Sequence, residues 1–136
     1  MKRNRITSIA LLIAIFASLT LAHVSAEPPR YSNMYGVWTG FNFRNFNEPS
    51  GNYATTWAEL WGCTRASGGG NPSPIGLSLW RVNSWWPDDN LGYGYYWPGG
   101  YQSWGDKSPG TYHFTLSSYN GSSWSALNCP TVNYGW

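Results

Sequence analysis

Residues 109–121 read Pro-Gly-Thr-Tyr-His-Phe-Thr-Leu-Ser-Ser-Tyr-Asn-Gly and carry the clearest pattern in the chain. Tyr112, Phe114 and Leu116 alternate with Thr111, His113 and Thr115. A period of two belongs to a strand with one buried face. Asn120-Gly121 predicts a two-residue hairpin turn, because both residue types tolerate positive φ. With that turn, Tyr119 opposes Ser122, Leu116 opposes Ser125, Phe114 opposes Leu127 and Tyr112 opposes Cys129. Directly opposed residues share a face, so Cys129 is expected in the core. His113 falls on the outward face and is expected at the surface.

The pattern weakens outward from that stretch. Residues 75–82 predict a strand with Ile75, Leu77 and Leu79 inward. Trp80 and Val82 fall on its other face, so this strand is expected to be covered on both sides or bulged. Residues 53–62 suit a helix by the spacing of Trp57 and Trp61. They suit a strand by the shared face of Tyr53, Thr55, Trp57, Glu59 and Trp61, and Thr55-Thr56 favours the strand. Residues 35–43 predict a strand, with Val37, Thr39, Phe41 and Phe43 on one face. Residues 44–52 hold Asn, Pro and Gly and read as a loop. The run 67–72 reads as a flexible connection. Residues 84–110 show little regular pattern beyond a short strand at 91–97.

Composition agrees with an all-β chain. Ten Trp and ten Tyr stand among 136 residues, with sixteen Gly and nine Pro. Every Trp and Tyr lies after residue 26, where Leu, Ile and Val are few. Aromatic rings must therefore build part of the core. Tyr, Trp and Thr with Gly and Pro punctuation favour strands and turns over helices.

The first 26 residues follow a different order. Lys2, Arg3 and Arg5 precede an apolar run from Ile6 to Leu21, and Val24, Ser25 and Ala26 follow. Positive, apolar, then small is the order of a secretory signal peptide, with cleavage expected after Ala26. The apolar run is shorter than the roughly 20 residues that span a bilayer. Residues 27–136 are then one secreted domain with no transmembrane segment. The leader holds three of the eight Lys and Arg, which leaves five against six Asp and Glu. The mature chain is close to neutral and lacks the clustered basic face of a nucleic-acid binder. In an oxidising compartment Cys63 and Cys129 read as one disulfide. It closes a loop of about 67 residues, with roughly 4 kcal/mol expected from chain entropy.

The segment 108–121, with Gly110-Thr111-Tyr112 leading into the strand, resembles bacterial immunoglobulin-like β-sandwich domains. That resemblance implies a small antiparallel β-sandwich, immunoglobulin-like or jelly-roll-like, with long aromatic loops. It also implies that Tyr112 is a corner tyrosine, its hydroxyl bonded to backbone upstream. Phe114 stands where antibody domains have Cys, so only the architecture carries over. In arrangement, the chain is also similar to small secreted Tyr/Trp-rich bacteriocins.

Candidate chemistry is sparse. Glycoside hydrolysis needs two facing carboxylates, which Glu59 with Asp88, Asp89 or Asp106 would have to supply. Six acids in any chain allow such pairs. There is no Gly-x-Ser-x-Gly elbow and no set of zinc ligands, so no cofactor is expected. Asp88, Asp89 and Asn90 offer oxygen ligands for calcium, but Pro87-Asp88-Asp89-Asn90 reads more readily as a turn capped by its own side chains. The aromatic residues of the long loops are the better lead. Flat Trp and Tyr rings supply rigid contact area with a polar tip. The expectation is a non-catalytic binding protein whose partner is a polysaccharide or another component of the cell envelope. Its candidate ligand residues are Trp85 and Trp86 first, then Tyr95, Tyr96, Trp97, Tyr101 and Trp104. The alternatives are a bacteriocin-like antimicrobial or toxin-like protein, and a small carbohydrate-active enzyme.

Overall fold

The computed structural model describes residues 30–50, 54–97 and 100–136, with the backbone alone at 30–32. The leader and its cleavage point lie outside the described residues. Among the described residues, nine strands form two antiparallel sheets packed face to face, a small β-sandwich. In the first sheet, β1 (Arg30–Val37), β9 (Leu127–Gly135), β3 (Thr55–Trp61) and β7 (Gly100–Asp106) lie in that order, and β4 (Thr64–Arg65) pairs with the start of β9. In the second, the order is β2 (Phe46–Glu48), β8 (Gly110–Tyr119), β5 (Ile75–Arg81), β6 (Asp89–Tyr96). Among the described residues no helix is long and apolar enough to cross a membrane.

The alternation in β8 works as read. Tyr112, Phe114 and Leu116 are buried between the sheets. β5 turns Ile75, Leu77 and Leu79 inward, and its outward Gly76 and Ser78 are buried too. This central strand has register shifts on both sides. Small outward residues let its neighbours close over it: the Tyr95 ring lies over Gly76, and Ser78 shares a hydrogen bond with Ser117.

Rings do fill the core. Phe46 stacks on Tyr112 and Phe114 at centroid separations of 5.9 and 5.6 Å, and Tyr134 meets Phe114 edge-on at 5.9 Å. Such pairs contribute about 0.5–1.5 kcal/mol each beyond the area they bury. Their polar tips are satisfied at the margins of the core. Tyr119 donates to the Ser125 carbonyl at 2.8 Å, Trp136 Nε1–H to the Asn47 carbonyl at 2.6 Å, and Tyr112 to the Ser108 carbonyl. The last bond runs four residues back along the chain.

Several expectations are corrected. Residues 35–43 are not one strand. β1 stops at Val37, and the chain turns through Gly40 (φ +89°) and crosses to the second sheet, where Asn42 bridges Thr115. Phe41 is therefore exposed while Phe43 is buried. The expected loop 44–52 contains β2, with Phe46 and Glu48 both buried; Thr56 Oγ1–H donates to Glu48 Oε2 at 2.8 Å. The strand reading of 53–62 holds within the described residues: β3 has Trp57, Glu59 and Trp61 together on its outward face, with Thr56, Ala58 and Leu60 in the core. Within 84–110 the expected strand at 91–97 is present as β6, starting at Asp89, and β7 is an additional strand that the pattern did not signal.

The expected β8–β9 hairpin is absent. β8 pairs with β2 and β5, whereas β9 lies in the other sheet between β1 and β3. Ser122 N–H does bond the Tyr119 carbonyl at 3.2 Å, but the amides of Trp124 and Ser125 then fold back onto the Gly121 carbonyl. That turn re-aims the chain across the sandwich instead of reversing it. Cys129 is buried nonetheless and is bonded to Cys63, which follows β3. The disulfide thus joins neighbouring regions of one sheet.

Candidate binding surface

The loop 82–88 is tied at both ends. Val82 N–H donates to the Thr111 carbonyl at 2.8 Å, and Asn83 N–H donates to Asp88 Oδ1 at 3.1 Å. Asn83 Nδ2–H closes the ring on the Pro87 carbonyl at 3.0 Å. With its base fixed, the loop projects Trp85 and Trp86 into solvent, 91% and 80% exposed. Both rings stand clear of the core.

β6 continues this surface. Its outward side chains Tyr93 and Tyr95 are exposed, Leu91 is exposed at the irregularity before them, and Trp97 follows beyond its end. The inward side alternates Gly92, Gly94 and Tyr96. Period-two alternation thus separates Tyr95 from Tyr96, which sequence reasoning had grouped. Tyr96 is only 2% exposed and donates its hydroxyl to the Ala58 carbonyl at 2.9 Å. Burial, with Tyr101 and Glu59 nearby, pushes that hydroxyl well above the ordinary tyrosine range, so it stays a donor.

Trp104 is the second candidate moved inward. Its ring packs on Phe114 at 4.9 Å, and its Nε1–H donates to the Gly92 carbonyl at 3.4 Å. It closes the gap between β6 and β7, the adjoining edges of the two sheets. Tyr101 is exposed, but on the outer face of the other sheet, where it stacks on Trp57 at 5.8 Å. Of the seven candidates, Trp85, Trp86, Tyr95 and Trp97 follow one edge strand. Tyr101 stands apart from them, and Tyr96 and Trp104 serve the core.

Tyr93 and Trp61 are exposed as well, and Trp57 is half-buried on the same outward face of β3 as Trp61; none of the three was among the candidate ligand residues. The signal for the last two was available: Glu59 between two tryptophans marks an outward row opposite Thr56, Ala58 and Leu60.

The acidic residues are dispersed. Asp88 Oδ1 caps the loop, and Asp88 Oδ2 lies 3.9 Å from His113 Nδ1. Asn90 Oδ1 accepts from Gly92 N–H at 2.8 Å. These oxygens fasten the local backbone, and no group of three or more His, Cys, Asp or Glu that could hold a metal occurs among the described residues. Asp106 pairs with Thr55, four residues along β3 from Glu59. That is about 13 Å at the strand rise, beyond the roughly 5–9.5 Å between glycosidase carboxylates. Asp88 and Asp89 lie at the second sheet.

His113 is not at the surface. The imidazole faces outward from β8, yet it is only 8% exposed. Burial lowers its pKa, and the Asp88 carboxylate opposes that shift in part.

Comparison of the chain with family models, curated proteins and solved structures finds no match.

Proposed function

We propose that this is an exported, non-catalytic binding protein that holds a glycan of the cell envelope along β6. The observation that supports this reading is the row of exposed rings on that edge: Trp85 and Trp86 at one end, Tyr93 and Tyr95 along it, and Trp97 at the other. Eight strand residues cover about 26 Å at the strand rise. A row of that length fits an extended polymer better than a small molecule.

Sugar rings offer apolar C–H faces to flat aromatic side chains, and Tyr and Trp pay little conformational entropy on ordering. Contiguous exposed apolar surface on a soluble domain commonly marks an interaction site. The tied base of the loop holds its two tryptophans in place before a ligand arrives, which lowers the cost of binding.

The test is a pull-down of the purified protein on insoluble cellulose, chitin and peptidoglycan. Retention on one of them, reduced about tenfold or more by Trp85→Ala or Trp86→Ala, is the expected result. Both side chains are exposed, so stability should change by no more than about 0.5 kcal/mol, and loss of retention will not reflect unfolding. Retention on none of the three overturns the glycan reading.

A further inference from the structure

The outer face of the first sheet carries a second constellation. Glu59 lies on the central strand β3, with Tyr101 of β7 opposite it on one side and Asn133 of β9 on the other. Trp57 and Trp61 are two residues away in each direction along β3, so they share its face at about 7 Å. Trp57 and Tyr101 stack on each other with an interplanar angle of 26° and form one wall. Trp61 stands at the other end, 49% exposed.

The carboxylate at the centre is oriented but uncompensated. Asn133 Nδ2–H donates to Glu59 Oε1 and fixes its plane. Among the described residues, no Lys, Arg or His nitrogen lies within 4.0 Å of it. A half-buried charge between rings has lost part of its hydration without gaining an ionic partner.

We propose that this face binds a quaternary ammonium group of the choline type, with Glu59 as counter-ion and Trp57, Trp61 and Tyr101 as the walls. The negative charge selects a cation, and ring faces attract one through their quadrupoles. The choice between kinds of cation follows from hydrogen bonding. A primary ammonium brings three donors. Here Glu59 Oε1 already accepts from Asn133, Asn133 Oδ1 is buried out of reach of solvent, and the indole rings offer no acceptor, so beyond the carboxylate only the Tyr101 hydroxyl is open to a donor. A fully methylated nitrogen asks for none. This site is on the opposite sheet from β6 and does not depend on the glycan reading.

The test is a titration of the disulfide-bonded protein with choline chloride, followed by tryptophan fluorescence, with ethanolamine hydrochloride in parallel. Saturable binding of choline, at least about tenfold tighter than of ethanolamine, is expected. Glu59→Gln keeps the size of the side chain and should weaken choline about tenfold. Trp61→Ala, at an exposed position, should weaken it about threefold. Trp86→Ala, on the other sheet's loop, should leave it unchanged. The proposal fails if choline gives no saturable response, if ethanolamine binds equally well, or if Glu59→Gln binds choline like the parent.

Discussion

His113 reaches from β8 to within 3.9 Å of Asp88, under the loop that carries Trp85 and Trp86. Its pKa in the folded protein lies below the ordinary 6.5, chiefly because the imidazole is buried. The unfolded chain therefore takes up the proton more readily than the folded one. The sign follows from linkage: this contribution is complete above the unfolded pKa and is lost as pH falls below it, levelling off under the folded pKa. Thermal melts should show Tm falling from about pH 7 to about pH 5, and His113→Gln should flatten that slope. An unchanged slope in the variant would assign the dependence to other groups. The alternation of residues 111–119 correctly put His113 outward. What it could not show is that a loop some thirty residues upstream covers the outward side. Local periodicity reports the face of a strand, not what later packs on it.

At the scale of elements, β6 and β7 meet where the two sheets' edges adjoin, and Gly94 makes that meeting possible. A Cβ at this position would sit 2.4 Å from Gln102 Cγ and 2.7 Å from Trp104 Cζ2. Gly94→Val should expel the Trp104 ring and cost about 1–3 kcal/mol. Urea denaturation gives the stability change, and a red-shifted tryptophan emission would report the displaced ring. Wild-type stability in this variant would mean that the edge can repack. β5, β6 and β8 were legible because period two or β-branched and aliphatic content dominates them. β2 is three residues long, and β7 interrupts its pattern with Gly100 and Gly105, so neither has a window long enough to register. Asn120-Gly121 shows the limit of turn chemistry. Gly121 does take φ +94° and Tyr119 and Ser122 close a turn, but Asn120 is not at positive φ, so this is not the mirror-image turn that a two-residue hairpin needs. The next amides then bond Gly121, and the Tyr119 hydroxyl holds the Ser125 carbonyl, so the chain leaves in a direction that no dipeptide encodes.

For the molecule as a whole, the disulfide links positions 66 residues apart. Reduction should lower stability by about 4 kcal/mol if chain entropy dominates. Denaturation with and without reductant measures the difference, and coincident curves would show that the link adds nothing. An all-β domain with a partly aromatic core was legible from composition, as was the cysteine pair. Which rings would be surplus to that core was not, because Tyr95 and Tyr96, or Trp97 and Trp104, have the same local chemistry. Only the pairing of distant strands assigns each to a side.

β9 is the last strand in chain order, yet it occupies the middle of its sheet, between β1 and β3. Until residues 127–135 are in place, β1 and β3 have no common partner and the first sheet cannot close. Pairings of such long sequence separation form slowly. Any fragment that stops short of residue 127 therefore leaves β1 and β3 unjoined, and truncation there should abolish the first sheet rather than merely trim its edge.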